Sequence, residues 1–188
     1  MLRLVTLAFF LSLSALVFSQ DAKIEHRISD EDRAIVAIAL QDFYRWDGAT
    51  FGHLKGALAV KSETIATPDA TIEELKSLAP NIREKITDAM AKAHMERNAV
   101  AVRSDELLKD SAWAKLLPAD QQNASPFDLR PNAKAVGSFT LPGISNTGTE
   151  AVIQIHHSWS IHGAVVTYVL AKANGTWRIV ARDQTVFL

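Results

Sequence analysis

The chain of 188 residues contains no cysteine. That absence excludes disulfides, thiolate metal sites, a cysteine nucleophile and a lipid-modified N-terminal cysteine. It also lacks an excess of either charge, with 20 Lys and Arg against 21 Asp and Glu and a net charge of −1 at pH 7. Without a basic patch or run, nucleic-acid binding has no electrostatic support. No acidic tail or low-complexity tract breaks the sequence, and no apolar run reaches the roughly 20 residues that a membrane-spanning helix needs. An ordinary globule whose stability rests on its core is what these absences leave.

The longest apolar run stands at the N-terminus. Arg3 precedes a stretch from Leu4 to Phe18 interrupted only by Thr6, Ser12 and Ser14, and Val17 and Ser19 supply small residues at the −3 and −1 positions of a cleavage site. This order of basic, apolar and small-residue zones predicts a secretory signal peptide over residues 1–19, cut after Ser19. The expected mature chain, residues 20–188, forms a single domain with no stable membrane anchor and lies in the periplasm or the medium. Freedom from cysteine favours a bacterial route.

Downstream, Ser29 is placed as an N-cap before Asp30, Glu31 and Asp32, and Ile35, Ile38, Ala39 and Phe43 follow at three-and-four spacing, predicting a helix to about Trp46. Leu58 to Val60 reads as an edge strand. Thr71 with Glu74 forms a capping box for a short helix closed by Pro80, and Ile82, Ile86, Met90 and Ala93 predict a second long helix over 81–98. Leu107 to Leu117 reads as one or two short helices. From Val136 the apolar period changes to two, and strands are predicted over 136–141, 150–157, 163–172 and 176–187, the last two joined by an Asn174-Gly175 hairpin turn. The expected fold class is α+β, with a helical part over 29–117 packed on a C-terminal four-stranded antiparallel meander over 136–187.

The residues Val136-Gly137-Ser138-Phe139, Glu150-Ala151-Val152-Ile153, Gly163 to Tyr168 and Lys172-Ala173-Asn174-Gly175-Thr176-Trp177-Arg178-Ile179 follow a recurrent pattern. Over about residues 81–188 the chain resembles an uncharacterised family of secreted bacterial proteins with a helical N-terminal half and a final Asn-Gly-x-Trp hairpin. Ser138 and the pair Ile155-His156 depart from that pattern. The hairpin is also similar to one in domains of the nuclear-transport-factor-2-like (cystatin-like) fold, which implies a cone-like sheet with helices packed on it. Fold does not fix function.

Chemistry concentrates in His156-His157-Ser158-Trp159-Ser160-Ile161-His162. Alternation along a strand sends His156 and His157 to opposite faces, so at most one of them can share a zinc or copper site with His162; His156 with His162 is the candidate pair, and two ligands leave such a site incomplete. His53, His94 and Glu96 are the further ligand candidates. No nucleophile-elbow glycines surround Ser158 or Ser160. Tyr168, Trp177, Arg178 and Arg182 offer a ligand or partner surface on the sheet, with Arg178, Arg182 and Gln184 expected on one strand face. These features favour a non-enzymatic small-ligand- or protein-binding domain. The alternatives are a hydrolase or isomerase with Asp42 or His53 as base near Tyr168, and a metal-binding protein built on the His156 to His162 hairpin.

Overall fold

A computed structural model of the chain describes residues 28–46, 57–109, 111–124, 133–158 and 163–187. The expected signal peptide lies outside them, as do His53, Ser160 and His162.

Helix α1 (Asp30–Arg45) starts where the sequence places its cap. The Ser29 hydroxyl accepts from the Asp32 backbone N–H, and the Asp32 carboxylate accepts from the Ser29 N–H at 2.8 Å, closing a capping box. A second box, Thr71 with Glu74, opens α2 (Ile72–Ser77). The expected helix over 81–98 is instead two elements: a 3-10 helix (Pro80–Lys85) and α3 (Asp88–Arg97), whose N-cap is Thr87. Pro80 therefore opens a turn as well as closing α2, in keeping with the preference of proline for a first helical position. A short helix, α4 (Asp105–Leu108), follows.

The strands are β1 (Ala57–Val60), β2 (Ala114–Leu116), β3 (Ala133–Phe139), β4 (Gly143–Ile144), β5 (Glu150–Ser158), β6 (Gly163–Ala173) and β7 (Thr176–Phe187). They form one sheet in the order β2-β1-β3-β5-β6-β7, with β4 pairing β5. Strands β3, β5, β6 and β7 pair antiparallel, but β1 runs parallel to both β2 and β3. The sheet is thus larger than the four strands expected and is mixed. Residues 114–116, read as helical, are a strand, and Leu58 to Val60 lies inside the sheet rather than at its edge. The hairpin turn is as the dipeptide requires, with φ of 52° at Asn174 and 76° at Gly175.

Helices cover both faces of this sheet. On one face α1 and α4 bury Ile35, Leu40, Phe43 and Leu107 against Ile153, Tyr168, Leu170 and Trp177. On the other, α2, the 3-10 helix and α3 bury Leu75, Ile82, Ile86 and Met90 against Val152 and Val169. Each such side chain contributes about 1.5–3 kcal/mol of burial. One residue of β7 breaks the alternation. Val169 pairs with Ala181 and Leu170 with Ile179, so Val180 is an unpaired bulge residue. Arg178, opposite Ala171, consequently shares the α3 face, while Arg182, opposite Tyr168, shares the α1 face. They are not on one strand face.

Side-chain networks fix the two helical layers to the sheet and to each other. Arg97 of α3 donates to both Asp32 carboxylate oxygens at 2.6 and 2.8 Å and to the Pro142 carbonyl at 2.8 Å. Burial alone would raise the Asp32 pKa, but the bonds from Arg97 and Ser29 together hold it below its ordinary value. Asn98 bonds the Leu141 N–H and carbonyl at 2.7 and 2.9 Å. At the far edge, the Asp183 carboxylate accepts from the Asn81 N–H and Nδ2 at 2.8 and 2.9 Å, tying the 3-10 helix to β7.

Candidate functional site

The α3-side layer covers only part of its sheet face. Where β3, β5, β6 and β7 run beyond it, a cleft of about 260 Å³ is lined by Lys61, Ser138, His156, Ser158, Val165 and Phe187, among others. Strand register explains the lining: Ser138 pairs with His156, His156 with Val165, and Ser158 with Gly163, which in turn faces Phe187. Directly paired residues point to the same side of a sheet, so these side chains share one face. Lys61 follows the last residue of β1, and its N–H bonds the Gly137 carbonyl at 3.0 Å. The parallel strand that the sequence placed at an edge thus sets Lys61 beside the cleft.

His156 lies in the cleft lining and its Nε2 is buried with no hydrogen-bond partner. Burial lowers its pKa to about 4, so the ring is neutral at pH 7. Behind it, α3 contributes His94, which is 2 % exposed. The His94 Nε2 lies 2.9 Å from the Thr140 hydroxyl, which also accepts from the Gln154 N–H at 3.0 Å, and Gln154 Nε2 donates to Thr167 at 3.3 Å. The His94 Nδ1 is buried without a partner. Burial, and then proximity to His156, lower the His94 pKa to about 4. His157 points to the α1 face, with its ring edge-on to Phe43 at 4.8 Å, and burial followed by His156 lowers it to about 3. The opposite orientations of His156 and His157 follow from strand alternation.

The other candidates occupy different places. Tyr168 and Trp177 are buried in the α1-side core. Arg182 is ion-paired with Asp42 and stacks over Trp46 at 4.6 Å. Burial pushes the Tyr168 hydroxyl pKa up, the Asp42 carboxylate adds to this and Arg182 opposes it, although the hydroxyl stands outside hydrogen-bond geometry. Asp42 and Tyr168 are therefore neighbours, as the hydrolase or isomerase reading requires, and Asp42 is already engaged by a guanidinium. Lys172 lies over the Trp177 ring at 5.6 Å and pairs with Glu31. Arg178 is exposed on the other face.

For the candidate metal pair, His156 is positioned and His162 lies outside the described residues. Among the described residues no group of three or more His, Asp or Glu side chains is arranged to hold a metal ion. No helix among them is long and apolar enough to cross a membrane.

Sequence reasoning did not find Lys61 or the meeting of His94 with His156, because both depend on which strands and helices become neighbours. Ser138 did carry a signal: it is the polar residue that interrupts the first strand of the C-terminal pattern. No known protein family, curated protein or solved structure matches this chain.

Proposed function

We propose that the chain is an exported, non-enzymatic binding protein whose mature form, from about Gln20, holds a small ligand in the cleft at the uncovered end of the sheet. The observation that carries this reading is the cleft itself, a 260 Å³ concavity with polar and apolar walls and a neutral, buried imidazole in its lining. Sites for small molecules have this mixed character, and this one is smaller than the roughly 300–1,000 Å³ that hold drug-sized compounds, which favours a compact ligand. The zones of residues 1–19 support export.

The test is ligand-observed NMR on residues 20–188 with a mixture of small carboxylates, amines, alcohols and sugars, repeated on Ser158→Trp, which fills the cleft mouth. Binding by the parent chain that the variant loses supports the reading. No binder, or equal binding by both proteins, removes it. Export is tested separately by N-terminal sequencing of protein recovered outside the cytoplasm, where a start at Met1 would refute cleavage.

A further inference from the structure

Resting on that cleft reading, we propose that the ligand is a small organic monoanion: one carboxylate, held by Lys61 with Ser138 and Ser158, on a short apolar body packed against Val165 and Phe187. Among the described residues of the cleft lining, Lys61 is the charged one and none is acidic. Several other basic residues are ion-paired, Lys76 with Asp88, Lys172 with Glu31 and Arg182 with Asp42. Lys61 pairs with no acid among the described residues, and the Ser138 and Ser158 hydroxyls make no hydrogen bond there. Three polar groups around one cleft therefore have donor capacity that the protein does not use.

Their chemistry selects the ligand. A carboxylate beside the exposed Lys61 gains a charge-assisted contact that a neutral molecule of the same shape cannot make. The two hydroxyls donate to the same group, and hydrogen bonds to a charged acceptor are about twice as strong as neutral ones. With His156 neutral, the lining carries one positive charge, which matches a monoanion better than a phosphate dianion. Val165 is buried and Phe187 is 47 % exposed, so an apolar body would be enclosed on one side and would cover the phenyl ring on the other.

The experiment titrates residues 20–188 at pH 7 with matched acid and amide pairs, butyrate against butyramide and benzoate against benzamide, and with inorganic phosphate, following backbone amide shifts at Ser138 and Val165. At least one acid is expected to bind about tenfold more tightly than its amide, the size of one charge-assisted hydrogen bond, and phosphate more weakly than that acid. Lys61→Met, at an exposed position that leaves the core intact, is expected to erase the preference, and Ser138→Ala with Ser158→Ala to reduce it. Equal binding of acid and amide, tighter phosphate than acid, or a preference unchanged in Lys61→Met overturns the inference. If no acid binds, the inference falls, and hits from the fragment mixture lost in Ser158→Trp would still uphold the cleft itself.

Discussion

Replacing His94 with glutamine is expected to make the protein less sensitive to acid, even where it costs stability at neutral pH. Burial, which penalises the charged ring, and then His156, which opposes a second charge, lower His94 from its ordinary value of 6.5 in the unfolded chain to about 4 in the fold. A base whose folded pKa is depressed favours the folded state fully above the unfolded pKa. That contribution is lost as the pH falls from about 6.5 to about 4, where both states are protonated. A gap of this size corresponds to about 3 kcal/mol over the whole window, most of which is gone by pH 4.5. Among the described residues, the polar and titratable groups placed beside His94 are the Thr140 hydroxyl and the His156 ring, and neither is a carboxylate. Urea unfolding of parent and His94→Gln at pH 7.0 and 4.5 isolates the term, since His157, the carboxylates and most of His156 titrate alike in both. The variant's loss of stability between the two pH values should be smaller by about 2 kcal/mol. Equal losses in the two proteins would refute the reasoning, as would an NMR titration of the His94 ring in the folded parent with a midpoint near 6.5.

Gly143 lies against α3 so closely that a Cβ there would be 2.4 Å from the His94 backbone N and Cβ, so Gly143→Ala must push α3 off the sheet, and thermal unfolding should register a loss of about 3 kcal/mol. Arg97→Ala leaves the fully buried Asp32 carboxylate without its guanidinium, and chemical denaturation should show a loss of about 3 kcal/mol, partly recovered by Arg97→Lys. Gly175→Ala forces an alanine to a φ of 76°, costing about 1 kcal/mol by the same assay without changing the circular dichroism of the folded state.

What could be read from the sequence was local. The α1 cap at Ser29, the Thr71-Glu74 box and the Asn174-Gly175 turn each depend on residues within three positions of one another, and all three are present in the fold. The antiparallel strands β3, β5, β6 and β7 are joined by short connections and carry a period of two, so they too were visible. Strand β1 was read, but at an edge, and β2 was read as helical: they are four and three residues long, too short for a period, and their pairing is parallel between segments more than fifty residues apart. The Val180 bulge left no mark in the pattern, and it alone sends Arg178 and Arg182 to opposite faces. The cleft inherits this difficulty. His156 was conspicuous in the sequence, whereas Lys61 reaches it through the parallel pairing of β1 and His94 through the docking of α3.

The parallel placement of β1 also constrains the order in which the chain can become structured. Among the described residues β1 has no strand partner until residues 114–116 and 133–139 exist, and α1 packs on β5 and β7, which begin at residues 150 and 176. The hairpins β5-β6 and β6-β7, by contrast, close over short loops. Because contacts between distant segments form slowly, the first part of the polypeptide to be synthesised is the last to be secured. Until β5, β6 and β7 are in place, α1 lacks the sheet face that it covers.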